Sequence, residues 1–210
     1  MDKKYAIFDM DGTLIDSMIF WKNLAAEYLS SRGVKQIPKD ILERIKPMTM
    51  SESAALFRQE FGLTGDPEAE MNAMMDDHYR NDILLKSGVR EYLQMLQRQG
   101  ARMCVASATA EHLMEVCLTR LGVRDYFAFL LSCETVGAGK RSPLVYREAA
   151  RLLGADMTEI AVYEDALYAV QTAKEAGCHV VGVYDESASE NWKHIEDIAD
   201  EIILNWEESI

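Results

Sequence analysis

Two carboxylates one residue apart, Asp9 and Asp11, stand in the run Asp9-Met10-Asp11-Gly12-Thr13, directly after the apolar segment Tyr5-Ala6-Ile7-Phe8. On a tight loop at the end of a buried strand, both can face one centre and share a hard cation. Gly12 would let the backbone approach a phosphate closely. A second acidic pair, Glu164-Asp165, ends the apolar run Ile160-Ala161-Val162-Tyr163. Magnesium takes oxygen ligands and keeps several waters, so one or two carboxylates from this pair complete a site with Asp9 and Asp11. Between the pairs comes Ala106-Ser107-Ala108-Thr109, a hydroxyl and backbone N–H groups at the start of a helix, where a phosphate can sit. Lys140 follows in Gly137-Ala138-Gly139-Lys140-Arg141-Ser142-Pro143, able to neutralise a transferring phosphoryl group, with Arg141 as a second candidate for that charge. Singly, such a serine is an ordinary helix cap, such a lysine a surface cation and such an acidic pair a helix start. Their order and their placement at strand ends turn them into the parts of a phosphoryl-transfer site.

The elements that must position these residues follow a strand–helix rhythm. After Tyr5–Phe8, short apolar runs recur at 102–106, 129–133, 160–163 and 179–184, separated by amphipathic helical stretches closing on Gly100, Gly122, Gly154 and Gly177. Alternation of this kind predicts an α/β fold with a mostly parallel, Rossmann-like sheet covered on both faces. The interval between the first two strands breaks the rhythm, since roughly 90 residues intervene where one crossover helix needs far fewer. That interval reads as four helices: Ser17 to Arg32 stopping at Gly33, Pro38 to Ile45, a third to Phe61 opened by Thr49 and Glu52 as a capping box, and a fourth from Asp66-Pro67-Glu68 to about Asp82. The expected organisation is therefore a core domain of residues 1–15 and 86–210 carrying an inserted four-helix-bundle cap of residues 16–85.

The composition excludes several partners. The chain has 210 residues, 22 basic against 35 acidic, for a net charge of −13. A nucleic-acid backbone or an anionic membrane needs a concentrated basic face, so neither is expected as a partner. An anionic substrate must be drawn in by local positive charge, from a metal ion or a buried lysine. The cysteines, Cys104, Cys117, Cys133 and Cys178, form no CxxC pair and fall mostly in apolar stretches, which argues against a disulfide framework. With no leader-like start and no run of membrane-spanning length, the cytoplasm is the expected compartment. The oligomeric state is left open, and a monomer is compatible with all of it.

The four elements in this order resemble the haloacid dehalogenase superfamily, in the branch of small phosphatases and β-phosphoglucomutase-like proteins with a helical cap after the first motif. The resemblance spans essentially the whole chain. It implies Asp9 as nucleophile and metal ligand, and Asp11 as general acid/base that also offers its backbone carbonyl to the metal. It implies Asp165 as a further ligand of Mg2+, with Glu164 beside it in the metal's inner or outer shell. Thr13, Ser107, the N–H of Ala108 and Lys140 become the phosphate-binding groups, Lys140 bridging Asp9 and the phosphate. Family members acting as dehalogenases lack a carboxylate at Asp11, so the resemblance points to a phosphomonoester hydrolase or a mutase. Departures are local: Arg141 stands where proline is common, and Ala166 and Ala169 replace a common serine and glycine.

In the cap, Trp21 falls where the resembling sugar phosphomutases carry a histidine, and Met50 where they carry an arginine for the distal phosphate. The first expectation is a phosphatase for a small phosphorylated metabolite such as a sugar phosphate, the second a phosphosugar mutase, the third a regulatory protein that keeps the fold without turnover. Lys46 is the nearby residue able to replace the missing arginine. Trp21, Phe20, Met18, Met48, Met50 and Met74 form either an apolar specificity surface or plain helix core.

Overall fold

The computed structural model describes residues 4–45, 48 and 50–210. Lys46 and Thr49 lie outside them, and with them the expected capping box and the expected substitute cation. The chain divides into two compact units, one of Met1–Ser17 with Ile83–Ile210 and one of Met18–Asp82.

The first unit is built on a parallel sheet of six strands: β1 (Tyr5–Phe8), β2 (Arg102–Ser107), β3 (Phe127–Ser132), β4 (Ile160–Glu164), β5 (His179–Val183) and β6 (Glu201–Ile203). The spatial order is β3-β2-β1-β4-β5-β6. The chain thus winds outward from β1 in one direction and then in the other, and the crevice at the carboxyl ends of β1 and β4 is the switch point where open sheets of this order hold ligands. All five residues of β4 are buried, as are the last three of β1, which is why these strands read as unbroken apolar runs. β6 is absent from the sequence reading. It has three residues, opens on Glu201 and leaves Ile202 exposed, so it carries neither an apolar run nor an alternation long enough to register.

Helices of the second unit come next in the chain: α1 (Met18–Ser31), α2 (Lys39–Ile45), α3 (Met50–Phe61) and α4 (Pro67–Asn81). The start of α4 is written in its sequence, because Asp66 caps the N–H of Ala69 at 3.3 Å and Pro67 occupies the first turn. Its buried residues Met71, Met75 and Tyr79 recur every four positions, and α4 packs against both α1 and α3. Inside this unit Tyr28 donates to Glu70 at 2.8 Å and faces Phe57 at a ring separation of 6.2 Å. Trp21, Met48 and Met50 do not vanish into that core: with Leu42, Ile45 and Met71 they line a cavity of about 700 Å³ within the helical unit.

The chain re-enters the first unit through backbone bonds from Asp16 N–H to the Leu84 carbonyl and from Lys86 N–H to the Leu14 carbonyl, 2.9 and 3.0 Å. Helix α5 (Val89–Arg98) follows, burying Val89, Tyr92, Leu93 and Leu96 on one stripe. Then come α6 (Glu111–Arg120), α7 (Cys133–Val136), α8 (Leu144–Leu153), α9 (Leu167–Glu175) and α10 (Trp192–Ile198). One core joins Ile7, Cys104, Val162 and Val180 of the sheet to Tyr146 and Ala149 of α8. Elsewhere in this unit an aromatic group backs the site strands: Phe8 stacks on Tyr163 at 4.1 Å, and Trp206 meets Tyr92 at 4.9 Å. Cys104, Cys117, Cys133 and Cys178 are all buried, and none is in a disulfide. Among the described residues, no helix is long and apolar enough to cross a membrane.

Candidate active site

Strand register brings the first and last motifs together. Phe8 pairs with Tyr163 in the parallel ladder, and the Asp9 N–H makes the next rung to the Tyr163 carbonyl at 3.0 Å. The residues that follow, Asp9 on one strand and Glu164-Asp165 on the other, therefore emerge side by side. Past Asp9 the backbone doubles back, with Leu14 and Ile15 N–H both donating to the Met10 carbonyl. Gly12 takes φ 80°, the left-handed conformation that a side chain disfavours, and this turn is the reason for glycine there. Met10, between the two aspartates, is fully buried.

Asp9, Glu164 and Asp165 are buried, and one oxygen from each lies within 4.8 Å of the others. Lys140 is buried among them; its ammonium pairs with Asp9 and donates to Glu164 Oε1 at 2.6 Å. The hydroxyl of Tyr146 donates to that same oxygen at 2.9 Å. Thr13 donates to Asp165 Oδ1 at 3.2 Å, while its carbonyl accepts the indole N–H of Trp206 at 3.2 Å.

Burial pushes the Asp9 carboxyl well above the usual carboxylate range; Lys140 opposes this, and Glu164, Asp165 and Asp11 add to it. Asp165 is pushed up to about 7, first by burial and then by the charge of Glu164. Burial alone would weaken the Lys140 ammonium, but Asp9 and Glu164 outweigh it and hold the group firmly protonated. Three buried carboxyl groups face one ammonium, so ionising all of them together calls for a further cation. Such a cluster of oxygen donors suits a hard divalent cation of the magnesium type.

The remaining expected residues fall into two groups. Ser107 ends β2, buried, and its Oγ accepts the N–H of Thr109 at 3.2 Å. Ser107 is thus the last strand residue and Ala108 the first of the connecting loop, neither at a helix start, because α6 begins only at Glu111 with Ala110 as its cap. Asp11 is half-buried, and its carboxylate is not among the clustered three: Oδ2 accepts the Thr109 hydroxyl at 2.6 Å. Arg141 turns away from the cluster, its guanidinium over the Tyr168 ring at 4.7 Å. Trp21 and Met50 belong to the helical unit, where Trp21 donates to the Tyr79 hydroxyl at 3.2 Å.

Two contributors escaped the sequence reading. Thr109 stood inside a quoted motif without a role. Tyr146 carried one usable signal: it is a phenol on a helix stripe otherwise filled by Val145, Ala149, Ala150 and Leu153, and a buried phenol needs a partner.

Residues 6–183 match the profile of the haloacid dehalogenase-like hydrolases. The chain is 30% identical over 175 residues to hexitol phosphatase B of Escherichia coli K12, covering 81% of this chain and 79% of that protein. It is 28% identical over 190 residues to a phosphoglycolate phosphatase of Neisseria meningitidis, covering 84% and 78%. In fold it is similar to the crystal structure of a putative β-phosphoglucomutase from Thermotoga maritima, with a TM-score of 0.81, 23% identity and coverage of 98% and 95%. The match to the profile over most of the chain, together with the hexitol phosphatase relative, shows that this protein belongs to the haloacid dehalogenase-like hydrolase family.

Proposed function

We propose that the protein is a magnesium-dependent phosphatase that hydrolyses a small phosphorylated metabolite, such as a sugar phosphate, through an aspartyl-phosphate on Asp9. The observation that carries this reading is the buried Asp9 carboxylate paired with Lys140 beside Glu164 and Asp165. Asp9, Glu164 and Asp165, with the Asp11 backbone carbonyl, would hold Mg2+. The ion supplies the positive charge that lets an anionic ester approach a carboxylate.

Each residue then has a task. An Asp9 carboxylate oxygen attacks phosphorus as the ester P–O bond breaks. Lys140 opposes the burial that raises the Asp9 carboxyl and offsets charge on the phosphoryl oxygens, which Ser107 and the N–H of Ala108 hold. Asp11 protonates the leaving oxygen and later takes the proton from the water that cleaves the aspartyl-phosphate. Thr13 and Tyr146 steady Asp165 and Glu164 through their hydroxyls.

Hydrolysis is favoured over isomerisation by the helical unit. A mutase must hold a second phosphate, a task suited to the planar fork of arginine, and Met50 and Trp21 offer it no charge. The names of the two enzyme relatives support a small phosphomonoester as substrate. The four cysteines, none in a disulfide, fit a reducing compartment, and the cytoplasm is part of the proposal.

The test incubates the protein and magnesium with a hexitol phosphate, with 2-phosphoglycolate, and with β-glucose 1-phosphate plus a trace of the 1,6-bisphosphate. Release of inorganic phosphate is expected. Glucose 6-phosphate accumulating much faster than phosphate would overturn the assignment in favour of a mutase, and silence on every ester would overturn turnover itself.

A further inference from the structure

The bond between Thr109 and Asp11 joins residues 98 positions apart. At 2.6 Å it is a close hydroxyl–carboxyl hydrogen bond. Asp11 stands on the loop after β1 and is half-buried. Thr109 is held on its own side of the bond. Its β-branch restricts χ1, and its own N–H is fixed on Ser107 Oγ at 3.2 Å. Two consecutive bonds thus run from the phosphate seat at Ser107, through Thr109, to the carboxylate of Asp11.

We infer that Thr109 is the positioning residue for the acid/base step, fixing Asp11 Oδ2 so that proton transfer runs through Oδ1. This rests on the general-acid role proposed above for Asp11. When Asp11 is neutral, Oδ2 accepts the Thr109 hydroxyl as a carbonyl oxygen and the acidic proton resides on Oδ1. As the Asp9 oxygen bonds to phosphorus, the ester P–O bond breaks, its electron pair stays on the leaving oxygen, and the Oδ1 proton is transferred there. Asp11 is left as the carboxylate, still bonded to Thr109 and ready to deprotonate water. With Oδ2 on Thr109, Asp11 stands apart from the cluster of Asp9, Glu164 and Asp165.

Leaving-group dependence tests the inference. A p-nitrophenolate departs without needing a proton, whereas phenolate and alkoxide do need one. The value of kcat/KM, which covers steps through departure of the alcohol, is measured on p-nitrophenyl phosphate, phenyl phosphate and a hexitol phosphate. The enzymes compared are the wild type, Thr109→Val, Thr109→Ala, Thr109→Ser and Asp11→Asn. General acid catalysis is worth about 10²–10⁴-fold, so loss of its positioning should cost about tenfold or more on the two esters with poor leaving groups. On p-nitrophenyl phosphate the loss should stay below about threefold, and Thr109→Ser should restore the wild-type ratio. An equal loss on all three esters, or no loss, overturns the inference. Asp11→Asn separates the two levels: if its own loss is the same on every ester, the general-acid reading fails and takes the inference with it. If Asp11→Asn is selective and the Thr109 variants are not, the inference alone fails.

Discussion

Lys140 and Glu164 meet at 2.6 Å inside the protein, on a carboxylate oxygen that also takes the hydroxyl of Tyr146 at 2.9 Å. The same ammonium pairs with Asp9, so one cation restrains two carboxylates contributed by neighbouring strands. Removing one partner of a buried pair leaves uncompensated charge and costs about 3–5 kcal/mol. Lys140→Met should therefore destabilise the metal-free protein by about that amount at neutral pH and abolish turnover. Urea unfolding checks the first part; a loss below about 1 kcal/mol, the scale of an exposed pair, would mean that Lys140 is not the cation on which the cluster depends.

Metal binding and proton binding should compete at this cluster. Asp165 has its carboxyl raised from 3.8 to about 7, and Asp9 is raised as well, both primarily by burial. Without metal the folded chain holds a proton on Asp165 between about pH 4 and 7 that the unfolded chain has released, so this contribution to stability is lost as pH rises through that window. Magnesium requires the ionised carboxylates and restores what is lost. The increase in melting temperature on adding magnesium should be larger about one unit above pH 7 than about one unit below it, and calorimetry near neutrality should detect proton release on binding. A magnesium effect that grows towards acid pH would contradict this.

The C-terminal segment has a mechanical part to play. Trp206 is buried, meets Tyr92 at 4.9 Å and Tyr163 at 5.9 Å, and donates to the carbonyl of Thr13, whose hydroxyl reaches Asp165. Trp206→Ala should cost about 3–5 kcal/mol, as large aromatic deletions do, and Trp206→Phe less because most of the ring contact survives. Chemical denaturation ranks the two. A neutral Trp206→Ala would show that the segment does not support the motif loop.

Much of this was legible because single residues carried strong local signals. The apolar runs ending at Asp9 and Glu164 are strands buried on both faces, and their parallel register alone brings the two acidic motifs together. Asp66-Pro67 announced α4 through a cap and a permitted proline. What stayed hidden depends on partners far apart in sequence. Nothing near Tyr146 indicates that its hydroxyl meets Glu164, nor near Thr109 that it meets Asp11. Ser107 was expected at a helix start, whereas β2 extends to it and the helix begins later, a difference set by loop geometry that residue type does not encode. Only context favoured Lys140 over its neighbour Arg141, and burial separates the two: Lys140 is 6% exposed, and Arg141 lies over an aromatic ring.

The central claim is that Asp9 forms a covalent bond to phosphorus, and trapping that bond tests it most directly. The protein is mixed with ³²P-labelled hexitol phosphate and magnesium, quenched in acid within a turnover, digested, and the labelled peptide sequenced by mass spectrometry. An acid-stable, hydroxylamine-labile label on the peptide containing Asp9 is the predicted result, absent in Asp9→Asn, which should also retain less than about 1% of turnover because an amide oxygen is a poor nucleophile. Active enzyme that carries no label on Asp9, or an Asp9→Asn variant that still turns over, would contradict the account.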